Sequence, residues 1–255
     1  MRSMLLKVCL PALLLGLAAP VAAQNLGESE ILVTGSRIPQ ANLTSTSPVS
    51  VLGYSRPPAI GLKRTADFAV QFVTITGDTR DEQKRRDEIF DMVKRAIELA
   101  GRRDGIELST GTLVVEPLTL GNYRNLPLGD EDEDEDYRPD TDSVSFIVKT
   151  PLSAGTDSKA ALERINAFIK AVPAVGRAEL NTNGDLTLSV VGPDKYRGEI
   201  IDKVAADARA TAARLGPSYA VVANGLDRPV EWTRASLTEV YLYVPYSYSV
   251  TPVIP

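Results

Sequence analysis

The chain has 255 residues, and its 33 Asp and Glu exceed its 28 Lys and Arg, which gives a formal net charge of -5. This acidic balance argues against a nucleic-acid partner, because phosphate binding requires clustered Lys and Arg. The sequence contains no histidine and one cysteine, Cys9. It therefore excludes His-based catalytic triads and lacks the commonest ligands of zinc.

The catalytic options that remain are carboxylate pairs, Ser-Lys pairs and lysine nucleophiles. None of them has a recognisable motif in this sequence, and Asp227, Glu231 and Glu239 have the spacing of ordinary surface carboxylates. We therefore expect no catalytic, cofactor-binding or metal-binding residue. The sequence predicts a protein that is not an enzyme and that carries no cofactor.

The first 23 residues have the three parts of a secretory signal peptide. Arg2 and Lys7 provide the positive start, an apolar stretch covers residues 8–17, and Val21-Ala22-Ala23 supplies the small residues for cleavage. The apolar stretch is too short for a transmembrane span of about 20 residues. The sequence therefore predicts a periplasmic protein with a cleaved signal, and it leaves open a peripheral association with the outer membrane. Cleavage would also remove Cys9.

Residues 24–60 form a leader rich in Ser, Thr, Pro and Gly, in which only residues 30–34 have a strand pattern. The rest of the leader is expected to be extended and mobile. A periodic pattern follows and predicts an α+β region over residues 61–255. The first predicted elements are a half-buried strand built on Ala66, Phe68, Val70 and Phe72, a helix over residues 80–100 that Gly101 ends, and a strand from Ile106 to Val115.

Seven consecutive acidic residues, Asp130 to Asp136, interrupt this region. Mutual repulsion favours a solvated loop, which we place at residues 122–141. A calcium site is the alternative, although a calcium cage requires spaced ligands and a glycine bend. The loop would join two subdomains, residues 61–121 and 142–255, if the region is not a single unit.

Antiparallel strands and two further helices are predicted after the acidic loop. Asn183-Gly184 predicts a hairpin between strands over residues 177–181 and 186–191, since that pair accepts the positive φ of a type I′ turn. The other predicted elements are a strand over residues 144–149, a helix capped by Thr156 or Asp157, a helix from Asp194 to Leu215 that Gly216 ends, and strands over residues 219–222, 230–233 and 238–250. Together they predict an α+β fold in which antiparallel sheets pack with about three helices.

The C-terminal end is rich in tyrosine, with Tyr241, Tyr243, Tyr246 and Tyr248. Spacing by two residues places Tyr241 and Tyr243 on one face of a strand. One interpretation is a contact surface for a second subunit or a membrane interface, where tyrosine suits a half-wet position. The alternative, which we favour, is cross-strand packing within the fold.

The leader segment Glu30-Ile31-Leu32-Val33-Thr34-Gly35-Ser36-Arg37-Ile38, with Ser45-Thr46-Ser47-Pro48-Val49 after it, resembles the segment that precedes the plug of TonB-dependent outer-membrane receptors. The chain departs from that family because no series of strands for a barrel of about 22 strands follows. Ile31, Leu32 and Val33 are candidate partner contacts, since a short extended segment can pair with a strand edge of another protein. The favoured alternatives are that they add a strand to the protein's own sheet or that the leader is a disordered tether.

A second resemblance covers most of residues 63–250. The alanine-spaced helix over residues 205–215, its stop at Gly216, a strand with Val221 and Val222, and the ending Val240-Tyr241-Leu242-Tyr243 are similar to SIMPL-domain proteins of the bacterial periplasm and outer membrane. The opening Gly and Pro-Asp signature of that family is missing, and the acidic insertion is unusual for it. The resemblance implies an α+β fold, export, frequent oligomerisation and no established catalytic activity.

These observations predict a non-enzymatic periplasmic protein that acts through self-association or through an envelope protein partner. The alternative is an accessory of TonB-dependent transport or signalling that binds its partner through residues 30–50. The acidic charge leaves nucleic acid out of both hypotheses.

Overall fold

The computed structural model describes residues 29–33, 57–129, 141–155 and 157–253. Over these ranges the helices are α1 (Glu82–Ala100), α2 (Ser158–Ile169) and α3 (Arg197–Leu215), with 3₁₀ turns at Tyr123–Asn125 and Pro193–Tyr196. The strands are β1 (Glu30–Val33), β2 (Leu62–Thr65), β3 (Phe68–Gly77), β4 (Glu107–Thr110), β5 (Val114–Pro117), β6 (Asp142–Pro151), β7 (Glu179–Val191), β8 (Tyr219–Asn224), β9 (Glu231–Arg234), β10 (Glu239–Tyr243) and β11 (Ser247–Pro252). The predicted α+β class, with antiparallel sheets and three helices, is confirmed.

Six strands close into a barrel in the order β1-β5-β4-β6-β3-β7. Its longest continuous pairing is the antiparallel pair β3–β6, which runs in register from Phe68↔Pro151 to Gly77↔Asp142. One side of this pair packs against α1 and α2, where Val73, Ile75 and Phe146 share a core with helix residues. Alternate residues of a strand point to opposite faces. Phe68, Val70 and Phe72 therefore point into the barrel.

The two helices over this core begin and end at the residues that local chemistry indicates. Asp81 accepts a hydrogen bond from the Lys84 amide at the start of α1, and Asp157 accepts one from the Lys159 amide at the start of α2. Of the two predicted caps of α2, Thr156 and Asp157, the structure has Asp157. Gly101 follows the last residue of α1, as predicted.

The remaining strands form two small sheets beside α3. One has the order β2-β10-β9, and the other is a two-stranded ribbon of β8 and β11. A second core lies between these elements and the barrel, and it joins Trp232 and Leu242 to Leu188 of β7 and Ile200 of α3. Trp232 is thus a core residue.

The predicted hairpin at Asn183-Gly184 is wrong, because β7 runs without interruption from residue 179 to 191. β7 pairs with β3 on both sides of Asn183-Gly184, and the register shifts opposite Gln71. The Gln71 side-chain amide donates to the carbonyl oxygens of Asn183 (3.0 Å) and Gly184 (2.9 Å). Gly184 has φ +67°, so the positive φ that the pair signals is present, but it serves a β-bulge.

Three predicted strands also need correction. The segment from Ile106 to Val115 is two strands joined at Gly111, whose φ is +115°. The segment over residues 238–250 is divided near Pro245, since β10 and β11 pair in different sheets. β3 is buried on both faces because one face points into the barrel and the other packs under the helices. The half-buried pattern expected for it was therefore wrong.

Both sequence ranges around the acidic run contribute to the same barrel. β3, β4 and β5 come from residues 61–121, and β6 and β7 come from residues 142–255. The acidic run itself and the predicted signal peptide lie outside the described residues. Within the described ranges, no helix is both long and apolar enough to cross a membrane.

Candidate functional site

The N-terminal strand β1 completes the barrel. It lies between β5 and β7 and pairs antiparallel with both, so that Ile31 is opposite Val114 on one side and Val190 on the other. In the part of the chain that the structure describes, β5 and β7 have no pairing with each other. Without β1, the barrel would therefore have two open strand edges. We call the space between β5 and β7 the β1 groove.

Three apolar side chains bury β1 in this groove on both of its faces. Ile31, Leu32 and Val33 are no more than 2% exposed. Leu32 points into the barrel and packs in the cluster that contains Val70 and Ile147. Ile31 and Val33 point the other way, into the core beside α3.

A buried charge cluster holds the first residue of β1. The Glu30 carboxylate accepts from the Lys149 ammonium at 2.5 Å and from the Ser189 hydroxyl at 2.6 Å. The Glu107 carboxylate, which is half exposed, lies 3.2 Å from the same ammonium. Lys149 itself is 5% exposed, and its ammonium lies 4.1 Å from the centre of the Phe68 ring. Two carboxylates and a ring face thus surround one buried cation, and the Ser189 hydroxyl holds the Glu30 carboxylate in place.

This cluster fixes the register of β1. A slip by one residue would move Glu30 to the face beside α3 and would turn Ile31 and Val33 into the barrel. The ammonium of Lys149 would then lose its buried counter-charge, which is costly in a low-dielectric interior. We therefore interpret the cluster as favouring a segment with an acidic residue at the position of Glu30.

Backbone contacts secure both ends of β1. The Gly192 amide donates to the Ser29 carbonyl oxygen at 3.1 Å, and the Thr187 hydroxyl donates to the Val33 carbonyl oxygen at 2.9 Å. The Leu32 amide donates to the Leu113 carbonyl oxygen at 3.1 Å. The rest of the protein therefore binds β1 through its main-chain atoms as well as through its side chains.

The predicted partner contacts Ile31, Leu32 and Val33 thus form a strand in the wall of the protein's own barrel. Of the alternatives favoured from the sequence, this is the one in which the segment adds a strand to its own sheet. In this arrangement β1 offers no free edge to another protein. Contact with a partner through these three residues requires β1 to leave the groove.

Two of the predicted tyrosines, Tyr241 and Tyr243, stack with their ring centres 5.9 Å apart. The Tyr241 hydroxyl donates to the Pro58 carbonyl oxygen at 2.8 Å. Burial, followed in importance by the nearby Glu231 carboxylate, raises the pKa of Tyr243 to about 12. Both rings are therefore engaged in packing within the fold.

The other pair, Tyr246 and Tyr248, has ring centres 5.1 Å apart. The Tyr248 hydroxyl shares its one hydrogen between the Val204 carbonyl oxygen at 3.0 Å and the Asp207 carboxylate at 2.9 Å, which fastens β11 to α3. Burial, followed by the hydrogen bond to Asp207, raises the pKa of Tyr248. A partner contact through the four tyrosines stays a prediction.

Sequence reasoning missed Lys149, Ser189 and Glu107. A signal existed for Lys149. The predicted strand over residues 144–149 has six residues, and Lys149, the last of them, is its only charged residue. A charge in a strand buried on both faces needs a counter-charge, and Glu30 stands at the head of an apolar segment. The pairing of two such distant residues follows from the topology, which the sequence does not display.

A second polar cluster ties α1 to the start of β7. The Glu88 carboxylate accepts from the Thr79 hydroxyl at 2.6 Å and from the Arg177 amide at 3.2 Å. These two hydrogen bonds lower the pKa of Glu88. The Arg177 guanidinium donates twice to Asp78 in a bidentate pair. These contacts are explained by a structural role, since they connect α1 to the residues before β7.

A cleft of about 550 Å³ lies at the C-terminal end of α1 and is mainly apolar, with Ile97, Ile106 and Leu118 in its wall. Ser109 also lines it, and its buried hydroxyl has no hydrogen-bond partner among the described residues. The same part of the chain contains no group of three or more Cys, Asp or Glu residues that could hold a metal ion. Lys149 and Glu107 line the same cleft, and the Lys149 ammonium is paired there with the carboxylates of Glu30 and Glu107.

Comparison with known proteins does not identify a family. No family model and no curated protein matches the chain. Among solved structures, it is similar to an uncharacterized conserved protein from Listeria innocua, with 14% identity and a TM-score of 0.17 over 75% of this chain and 94% of that chain. It is also similar to a hydrolase from Listeria innocua, with 12% identity and a TM-score of 0.16 over 76% of this chain and 95% of that chain. Neither match has a TM-score that supports a shared fold or function.

Proposed function

We propose that the mature chain is a non-enzymatic protein of the periplasm that acts by binding protein chains, either further copies of itself or an envelope partner. The predicted signal peptide supports export, and the resemblance to SIMPL-domain proteins supports self-association. A peripheral association with the outer membrane is compatible with this function. The observation that carries the proposal is the ribbon formed by β8 and β11.

The ribbon has two outer strand edges that are unpaired within the described residues. Neither β8 (Tyr219–Asn224) nor β11 (Ser247–Pro252) carries a charged residue. Natural proteins protect such edges with charged residues or with Pro, and the ribbon has Pro252 at the last position of β11 but no charge. An uncharged edge is therefore suited to pairing with a strand of another chain.

Apolar side chains of the ribbon are also exposed. Tyr219, Val222 and Val250 are between 45% and 50% exposed, and Leu215 and Val253 at the adjoining ends are similarly exposed. The register places Tyr219 and Val250 on one face of the ribbon and Val222 on the other. A strand that paired with an edge of the ribbon could therefore bury apolar side chains on both faces. The hydrogen bonds of Tyr248 to α3 fix the position of the ribbon relative to the rest of the fold.

The proposal is tested by the mass of the mature chain in light scattering over a range of concentrations. We expect a mass of at least two chains, and we expect Val250→Lys to return it to one chain because a lysine at the edge opposes strand pairing. Leu162→Lys is the matched control, since Leu162 is also exposed but lies on α2. A single-chain mass at every concentration, with no envelope protein crosslinked to the chain, would contradict the proposal.

The accessory of TonB-dependent transport has weaker support as an alternative. Its contact segment begins with β1, and β1 is buried and paired on both sides. Residues 34–50 of that segment lie outside the described residues.

A further inference from the structure

The β1 groove has the properties of a binding site for an extended peptide segment. It offers a main-chain partner on each side, since β5 and β7 both pair with β1. It also offers a buried cation, Lys149, beside a hydroxyl donor, Ser189. A bound strand in such a site gains affinity from its backbone and specificity from its side chains.

The groove selects a segment of defined chemistry. The first residue must be acidic, because its carboxylate meets the ammonium of Lys149. The next three must be apolar, because the positions of Ile31, Leu32 and Val33 are almost fully buried. The carbonyl oxygen of the fourth residue meets the Thr187 hydroxyl. A segment of the pattern acid-aliphatic-aliphatic-aliphatic satisfies every contact.

We infer that the β1 groove is a strand-exchange site, and that residues 30–33 of a second copy occupy it while this chain's β1 occupies the groove of that copy. The inference rests on the proposed function, because it needs two copies to meet. A second copy carries the identical segment, so the contacts in the groove are the same for either strand. Reciprocal exchange leaves neither groove open and neither barrel with a free edge.

The number of residues between β1 and the rest of the fold sets how far the strand can reach. Residues 34–57 separate β1 from Pro58, whose carbonyl oxygen accepts from Tyr241, and a chain of that many residues spans at most about 80 Å at about 3.3 Å per residue. The competition between the two strands is set by their local concentrations, and association through the ribbon raises that of the neighbour's β1. Exchange thereby converts a weak surface contact into a durable link.

The absence of cysteine after residue 23 provides a clean test. Ile31 and Val190 are directly opposite in the β1–β7 register. Opposite residues of antiparallel strands are close enough for a disulfide. Two single variants of the chain from Gln24, Ile31→Cys and Val190→Cys, are mixed under oxidising conditions. A bond between them requires β1 of one chain to lie in the groove of the other.

We expect the mixture to accumulate a disulfide-linked heterodimer, on the order of ten-fold above the mixture of Ile31→Cys with Leu162→Cys, which measures random collision. The double variant Ile31→Cys/Val190→Cys shows, by its own internal bond, that the pair is in bonding geometry. Circular dichroism shows whether each variant folds. If Ile31→Cys does not fold, Val33→Cys and Leu188→Cys replace the pair, since they are also in register.

A heterodimer yield equal to the collision control, with the double variant bonded within its own chain, would overturn strand exchange. Light scattering distinguishes this result from a failure of the proposed function. A two-chain mass without the heterodimer leaves the ribbon association intact and removes the exchange. A single-chain mass without the heterodimer removes both the exchange and the self-association, and crosslinking to an envelope protein then decides whether the proposed function stands.

Discussion

Single buried charges decide how this fold is assembled. Lys149 and Arg85 are each no more than 5% exposed, and each has a carboxylate within hydrogen-bonding distance. Breaking such a pair leaves the remaining charge buried without a partner, which costs more than the pair contributes to stability. We infer that Lys149 favours one position of β1 in the barrel and that Arg85 favours one position of α1 over β6.

The contribution of Lys149 is measurable by substitution. Lys149→Met keeps the apolar stem but leaves the Glu30 carboxylate without its cation. We expect the free energy of unfolding to fall by about 3–5 kcal/mol. Urea denaturation checks this value. Adding Glu30→Gln to the same chain should recover part of the loss, because the uncompensated charge is then removed.

The control for this prediction is Lys159→Met. Lys159 lies 3.9 Å from Glu163 in a pair that is largely exposed, so its loss should change the free energy of unfolding by less than about 0.5 kcal/mol. An equal effect of the two substitutions would contradict a special role for the buried cluster.

Glu88 should make stability depend on pH. Its pKa in the folded protein is lowered by the hydrogen bonds from Thr79 and from the Arg177 amide, relative to the ordinary value of 4.5. A carboxyl with a lowered folded pKa stabilises the fold above its unfolded pKa, and this stabilisation is lost as the pH falls through the folded pKa. The expected window is therefore below pH 4.5.

The variant Glu88→Gln tests this dependence. We expect it to be less stable than the unsubstituted chain at neutral pH, and we expect the difference to shrink as urea denaturation is repeated below pH 4.5. Glu98→Gln, an exposed position on the same helix, should show no such convergence. A difference that stays constant from neutral pH to about pH 3 would show that the charge of Glu88 does not contribute.

At the scale of the elements, local chemistry was predictable and strand pairing was not. The start of α2 at its cap Asp157 and the end of α1 at Gly101 were predictable, because a cap is an interaction between near neighbours in the chain. The start of α1 was predicted two residues too early, at residue 80, since Asp81 is its cap. Asn183-Gly184 shows the limit of this reasoning. Its preference for positive φ was recognised, but whether that φ makes a hairpin or a bulge depends on β3, which lies more than 100 residues earlier.

The candidate site was predictable only in part for the same reason. Glu30 to Val33 was recognised as a strand from its own residues. Its place between β5 and β7, and its ion pair with Lys149, depend on the barrel topology. β-strands are stabilised by partners that can be distant in sequence, so a single sequence defines the strand better than its neighbours.

At the scale of the whole molecule, the chain has one strand-binding groove that it fills itself and one ribbon that it leaves uncovered within the described residues. The first gives a closed barrel, and the second has edges that are unpaired within the described residues. This difference between a paired and an unpaired β surface is the physical basis of the binding function that we propose.

The most direct test of that function is crosslinking from the ribbon in the intact cell envelope. A photo-crosslinking residue at position 250 should yield a discrete product with a second copy or with one envelope protein, and a probe at position 162 on α2 should not. We expect the product from position 250 to exceed that of the control by on the order of ten-fold. Equal and diffuse labelling from the two positions would contradict the account.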